Sequence, residues 1–439
     1  MAVSPERRRE ILDALRRGTV PQRSLDAFAV GLEPFAATFD DELQTARSGS
    51  GVFKAVRGEY GSGKTFFSRW IQERARRGSF ATAEVQISET ETPLHRLETV
   101  YRRLVERLAT ADAPSGAMRS IIDGWFFALE QDVLAEGQIS ESDAEALLER
   151  SADLMEKRLA PISRTAPAFT AVLRAYRAAM AEADVALADG LIAWLSGQPN
   201  VAAKVKRAAG IKGDIDHFGA LNFLLGLLIV LRDSGYAGLV LVLDEVETLQ
   251  RVRGDVREKG LNALRQLIDE IDAGRFPGLY VVITGTPPFF DGPQGAQRLP
   301  PLAQRLHVDF ATDPRFDNPR AVQIRLRGFD MEKLGEVGRR IRNIYADGAE
   351  APDRVRRHVD DAYVELLAGA VTGKLGGRVG VAPRLFLRKL VADVLDRVDQ
   401  HADFDPRQHY ALTLAENELT TVERAAVNRS AVDDIELDA

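Results

Sequence analysis

Short apolar runs bounded by polar turns alternate along this chain with longer stretches in which apolar residues recur every three or four positions. The runs predict strands. Val52–Arg57 follows the turn Ser48-Gly49-Ser50-Gly51, Ala81–Ile87 alternates, and Ala321–Leu326 predicts a last strand. The unbroken apolar stretches Leu239–Leu243 and Leu279–Ile283 predict strands covered on both faces, as at the centre of a parallel sheet.

The helical spacing predicts an N-terminal helix over 5–17, carrying Ile11, Leu12 and Leu15, which Gly18 and Pro21 end. Further helices are expected at Leu32–Thr45, Phe66–Arg76, Leu94–Leu108, Gly260–Ala273, Leu334–Tyr345, Val355–Ala370 and Pro383–Val398. Phe218–Leu231 is apolar nearly all round and predicts a buried helix. From Ala111 to Ile215 the pattern is helical throughout: Ala117–Glu136, Glu141–Arg158, Ala168–Glu182 and Val185–Leu195, with Pro167 marking the start of the third. Trp125, Phe126, Phe127 and Trp194 are expected in the core of this insertion. The cationic stretch Val201–Lys212 can touch phosphate or form a solvated turn, and the Gly/Pro-rich Pro287–Pro301 reads as a loop. The fold class is therefore α/β, a parallel sheet with a large helical insertion at about 111–215 and a C-terminal helical domain. The expected division is a helical lead-in at 1–50, an α/β domain at 51–328, a lid-like helical domain at 329–400 and an acidic tail at 401–439.

Composition narrows the field. The chain has 439 residues, 45% apolar and 28% charged, as in ordinary globular proteins. It contains no cysteine, which excludes disulfides, a zinc ribbon and a cysteine nucleophile. The N-terminus carries no secretory pattern, and the longest apolar stretch, Phe218–Leu231, is too short to span a bilayer, so no membrane partner and a cytoplasmic location are expected. Net charge is −7 and uneven: 17 Lys/Arg face 13 Asp/Glu between Arg315 and Gln400, whereas 7 acids face 2 arginines from Ala411 onward. A basic segment beside an acidic tail can mark nucleic-acid contact; a solvated surface accounts for the same charges.

The chemistry centres on Gly58-Glu59-Tyr60-Gly61-Ser62-Gly63-Lys64-Thr65, a full G-x-x-x-x-G-K-[ST] match between a predicted strand and a predicted helix. The glycines let backbone N–H groups approach phosphate oxygens, and the helix start ending in Phe66 adds its own donors and positive dipole end. Lys64 is expected on the β- and γ-phosphates of ATP and Thr65 on Mg²⁺. Asp244 and Glu245 end the strand Leu239–Leu243, at the carboxyl edge where open α/β sheets bind ligands. In this Walker B pattern Asp244 holds Mg²⁺ through water, and Glu245 orients and polarises the attacking water. Glu247 reads as a solvated spare acid. Thr284, at the tip of the next buried strand, is placed to meet the γ-phosphate or that water, or simply to cap the strand. Arg305 follows at the position of an arginine finger, or forms a surface salt bridge. Arg384, in the first turn of the last helix after Gly380-Val381-Ala382-Pro383, can reach back to nucleotide as a sensor 2, or be solvated.

This order of motifs resembles the AAA+/STAND side of the P-loop ATPases, with an AAA+/ASCE-like sheet. It is most similar to the ATP-binding proteins of BREX phage-defence systems (BrxD-like). The stretches GEYGSGKTFF, ETPLHRLETVYRRL, GYAGLVLVLDEVETLQR, YVVITGTPPFFDG, PLAQRLHVDF and GVAPRLFLRKLVADVLD carry the resemblance from about residue 50 to 400. It implies a cytoplasmic ATPase that works with other defence-system proteins and DNA, as a homo-oligomer. The chain also resembles replication-origin initiator ATPases around Arg305 and Arg384. A nucleotide-operated signalling or scaffold switch with little turnover and no direct DNA binding is the alternative. A small-molecule kinase would need a phosphoacceptor pocket that no cluster of residues supplies.

Overall fold

Each predicted strand forms where its apolar run lies. The computed structural model describes residues 3–137, 139–140, 142–377, 380, 382–420 and 423–424. Among these are β1 (Val52–Arg57), β2 (Ala81–Gln86), β3 (Leu239–Asp244), β4 (Leu279–Gly285) and β5 (Gln323–Arg325). They form one five-stranded sheet in the order β2-β3-β4-β1-β5. β2, β3 and β4 run parallel, with Gln86 opposite Asp244 and Leu243 opposite Ile283. Every residue of β3 and β4 is buried, as their unbroken apolar character requires.

The chain divides into two compact units. One comprises Met1–Thr38, Val56–Glu73 and Ile324–Ala439; the other comprises Phe39–Ala55 and Arg74–Gln323. In the first, the helix Pro5–Arg16 packs on Pro383–Arg388, on the π-helical stretch Lys389–Leu395 and on Met331–Ala346. Arg16 and the Tyr345 hydroxyl both bond Asp396, at 2.8 and 2.9 Å, and so tie these helices together.

The second unit holds one continuous apolar core beneath β2–β4 and within the helical insertion. It also buries a charged pair. Lys54, 1% exposed in the middle of β1, pairs with Glu42 at 2.5 Å and donates to the carbonyls of Ala321 and Pro319 at 2.7 and 3.1 Å. The Tyr280 hydroxyl donates to the other Glu42 oxygen at 2.5 Å. A buried ammonium is tolerated because each of its protons finds an acceptor.

Several expectations are corrected. Trp125 and Trp194 are buried, but Phe127 is 62% exposed, and Phe218 at the start of the buried helix His217–Asp233 is 73% exposed. Val355–Ala370 is two helices, Pro352–His358 and Asp361–Lys374, because Asp360 caps the second by accepting from Tyr363 N at 2.8 Å. Pro287–Pro301 is not all loop: Pro287–Asp291 is a short helix and Ala296–Arg298 a 3₁₀ turn. The turn expected at 201–212 contains the helix Ala203–Ala208. The last strand is shorter than 321–326. Within the basic 315–400 segment, Arg339, Arg342 and Arg356 pair with Glu365, Asp361 and Asp347 at 3.2, 2.6 and 3.0 Å, so part of its charge is neutralised locally. Glu141, Arg378, Val381 and the tail beyond Arg424 lie outside the described residues. Among the described residues no helix is long and apolar enough to cross a membrane.

Candidate nucleotide site

The P-loop lies in the first unit, between β1 and the helix Lys64–Arg77. Gly61 and Gly63 take φ of 83° and 91°, a left-handed region that strains any residue with a Cβ. A Cβ on Gly58 would lie 2.3 Å from Ser62 Oγ, so a side chain there would displace the Ser62 hydroxyl from where the loop folds on itself. Ser62 N donates to Glu59 O at 3.1 Å and closes the turn. Ser62 Oγ is buried with no hydrogen-bond partner. Lys64 Nζ curls over the loop, donating to Gly58 O at 2.8 Å and Glu59 O at 3.2 Å, and stands 5.2 Å from the Tyr60 ring centroid. Thr65 is exposed, and Phe66 packs edge-on against Phe28 at 5.2 Å. Lys64 begins a helix whose first N–H groups lack intrahelical acceptors. A close-approach glycine backbone, an orphaned hydroxyl, an ammonium over the loop and a helix N-terminus together fit a chain of phosphates.

The carboxylate group lies in the second unit. Asp244 ends β3 and is 6% exposed. Thr284, fully buried in β4, donates its hydroxyl to Asp244 Oδ1. The backbone N–H of Glu245 points at the same two groups, 3.1 Å from Asp244 Oδ1 and 3.3 Å from Thr284 Oγ1. Glu245 itself sits at φ 61°, ψ 42°, a left-handed conformation rare for a non-glycine residue. That turn takes the chain out of the strand and leaves the Glu245 carboxylate within reach of β2, where Gln86 Nε2 donates to Oε2 at 2.8 Å.

Gln86 was not among the residues singled out from the sequence. It is the polar last position of an alternating strand, and only the β2–β3 register makes it a neighbour of Glu245. Glu247, expected to be solvated, is 4% exposed.

The two arginines are engaged elsewhere within their own units. Arg305, at the end of the helix Pro300–Leu306, pairs with Asp269 at 2.6 Å and Asp272 at 3.3 Å on the helix Gly254–Asp272. Arg384 grips Glu423 through Nε at 3.0 Å and Nη2 at 2.5 Å, and donates to Glu418 O at 2.6 Å. Glu418 in turn meets Lys389 at 2.9 Å and Arg388 at 3.5 Å. Burial acts to raise the Glu418 carboxyl, but the Lys389 hydrogen bond and its neighbours outweigh it and hold the group below its ordinary value.

The six stretches that carry the BREX resemblance include the P-loop and the Asp244-Glu245 pair. No curated protein and no solved structure matches the chain. A family model described as "BREX system ATP-binding protein BrxC/D" matches residues 3–414, nearly the whole length, and the chain belongs to that family.

Proposed function

We propose that the chain is a Mg²⁺-dependent ATPase of the AAA+/STAND type that acts in the cytoplasm, as a homo-oligomer, with other BREX proteins and DNA in defence against phage. Family membership supports ATP binding and a place beside other defence-system proteins. The observation that carries hydrolysis is the group at the tip of β3, where a buried threonine fixes Asp244 beside the backbone of Glu245.

In this reading Lys64 serves the β- and γ-phosphates, while the backbone of Gly58–Gly63 and the first turn of the helix Lys64–Arg77, with Phe66 in it, receive the phosphate chain. Thr65 and Asp244 hold Mg²⁺, a cation that takes one or two protein oxygens alongside substrate phosphates. When bound, Mg²⁺ neutralises charge on the phosphate oxygens. Glu245 orients the attacking water and accepts its proton. Thr284 keeps Asp244 in one rotamer. Arg305 acts on a neighbouring subunit's nucleotide, and Arg384 on its own, each after leaving its carboxylate partners.

The bond from Gln86 to Glu245 also favours a second reading, a nucleotide-operated switch with little turnover, because it occupies the carboxylate that would take the proton. Multiple-turnover ATPase assays on the full chain, with and without single- and double-stranded DNA, separate the two. Turnover that disappears in Glu245→Gln while ATP still binds supports the ATPase. ATP binding without turnover in any condition supports the switch, and absence of ATP binding removes both.

A further inference from the structure

A cleft of about 580 Å³ opens in the second unit, lined by residues that follow β2 and β3 in sequence. One wall is the helix Gly254–Asp272, which contributes Asp255, Glu258 and Lys259; His95 and His217 form the other. Its size falls within the roughly 300–1,000 Å³ typical of sites that enclose one small ligand. Two features of its lining, and one residue beside the lining, mark it as built to receive something. His95 Nδ1 is buried with no hydrogen-bond partner. Among the described residues neither Lys259 nor Glu258 has an ion-pair partner. Phe218, adjoining His217 with ring centroids 5.3 Å apart, leaves 73% of its surface in solvent.

We propose that this cleft binds one nucleotide unit of a single-stranded nucleic acid, with the phosphate on Lys259 and the two imidazoles and the base against Phe218. The proposal deepens the DNA part of the proposed function and does not depend on the P-loop. The electrostatics agree: His95 is held below the ordinary histidine value first by burial, then by Arg96 and Lys259, with Glu98 opposing and His217 adding. Asp255 and Glu258 argue against a duplex, whose closely spaced phosphates they would repel. An unpaired base instead offers amino groups to carboxylates, and the side-chain amides of Asn262 and Gln266 in the same cleft suit base edges. An exposed aromatic ring supplies a stacking platform that any base can use.

The test is fluorescence anisotropy of the full chain with 20-nucleotide single strands of DNA and RNA, the matching duplexes, and free nucleotide and inorganic phosphate as competitors. Phe218→Ala is expected to weaken single-strand binding roughly tenfold, with Phe218→Tyr restoring it. Lys259→Ala should lower the log–log salt slope by about 0.7, the value for one phosphate on a single strand, whereas Phe218→Ala leaves the slope unchanged. Comparison of DNA with RNA strands shows which nucleic acid the cleft takes. ATP affinity and the thermal midpoint are measured on the same variants, and both should match wild type because both side chains face solvent. Single-strand binding that neither substitution alters overturns the proposal. So does tighter duplex binding, or competition by free nucleotide or phosphate as effective as the strand. A failure of ATP binding would overturn the ATPase and leave this result standing.

Discussion

Gln86 and Glu245, 159 positions apart in sequence, are joined by a 2.8 Å hydrogen bond from the amide to the carboxylate. The bond ties up one of the two oxygens that would take the proton of the attacking water. Gln86→Ala should therefore raise basal ATP turnover, by up to about tenfold for the loss of one hydrogen bond to a charged group, without changing ATP affinity. Steady-state hydrolysis beside equilibrium ATP binding checks this. A fall in turnover would instead make Gln86 the group that holds Glu245 in its productive pose.

Thr284 bears on stability as well as chemistry. Its hydroxyl is fully buried and donates to Asp244, itself 6% exposed. Thr284→Val keeps the shape and leaves the carboxylate short of a donor. The expected loss is about 1–3 kcal/mol, read by denaturant unfolding, with a drop in turnover beside it. A variant as stable as wild type would show that water replaces the hydroxyl.

What the sequence disclosed followed from local rules. The P-loop was legible because strand, glycine loop and helix are contiguous, and the glycines answer to backbone conformations that a motif encodes. The Asp244-Glu245 pair was legible because five buried apolar residues lead to it. The rest depends on neighbours distant in sequence. Gln86 gains meaning only from the register that sets it opposite Asp244. Lys54 looks misplaced in a buried strand until Glu42 and two carbonyls are found around it. Phe218 begins an apolar run yet sits at the helix's first turn, where the burying face has not begun. The helix break near 359 is hidden because apolar spacing continues past Val359, although Asp360 is a residue type that caps helices and does so here.

Lys64 is the cation expected on the β- and γ-phosphates. In this structure its ammonium is satisfied by the carbonyls of Gly58 and Glu59, so it is already positioned over the loop. Lys64→Ala should abolish measurable ATP binding while the thermal midpoint changes little, since the side chain is only partly buried. Unchanged ATP affinity by calorimetry would sink the P-loop assignment.

Arg384 and Glu423 form an asymmetric pair, with the arginine side chain 31% exposed and the glutamate 2%. Removing the arginine leaves a buried carboxylate with the Thr420 N–H, at 2.7 Å, as its remaining donor, so Arg384→Ala should destabilise the chain by about 1.5–3 kcal/mol, and Glu423→Gln by less. If Arg384 also serves nucleotide, Glu423 competes with phosphate for it. Glu423→Gln should then tighten ATP binding about fivefold, the low end of ordinary coupling between sites. ATP titrations that leave Glu423→Gln indistinguishable from wild type would confine the pair to holding the C-terminal segment in place.

Arg305 is held differently. Its side chain is 40% exposed, and its partners Asp269 and Asp272 are 29% and 58% exposed. Ion pairs this wet contribute about 0–1 kcal/mol, so recruiting Arg305 to another subunit's nucleotide costs little of what a finger returns, commonly about 10³–10⁵ in rate. A head-to-tail assembly would present the end of the helix Pro300–Leu306 to a neighbour. Arg305→Ala is therefore expected to keep ATP affinity and lose most turnover, and mixing it with Lys64→Ala subunits should restore part of the rate. The mixture creates sites that combine an intact P-loop from one variant with an intact arginine from the other, which neither variant has alone. Normal hydrolysis by Arg305→Ala would remove the finger. Loss without rescue, in mixtures shown to co-assemble, would leave Arg305 acting within its own chain, where its bond to Asp269 tethers the helix Pro300–Leu306 to the helix Gly254–Asp272.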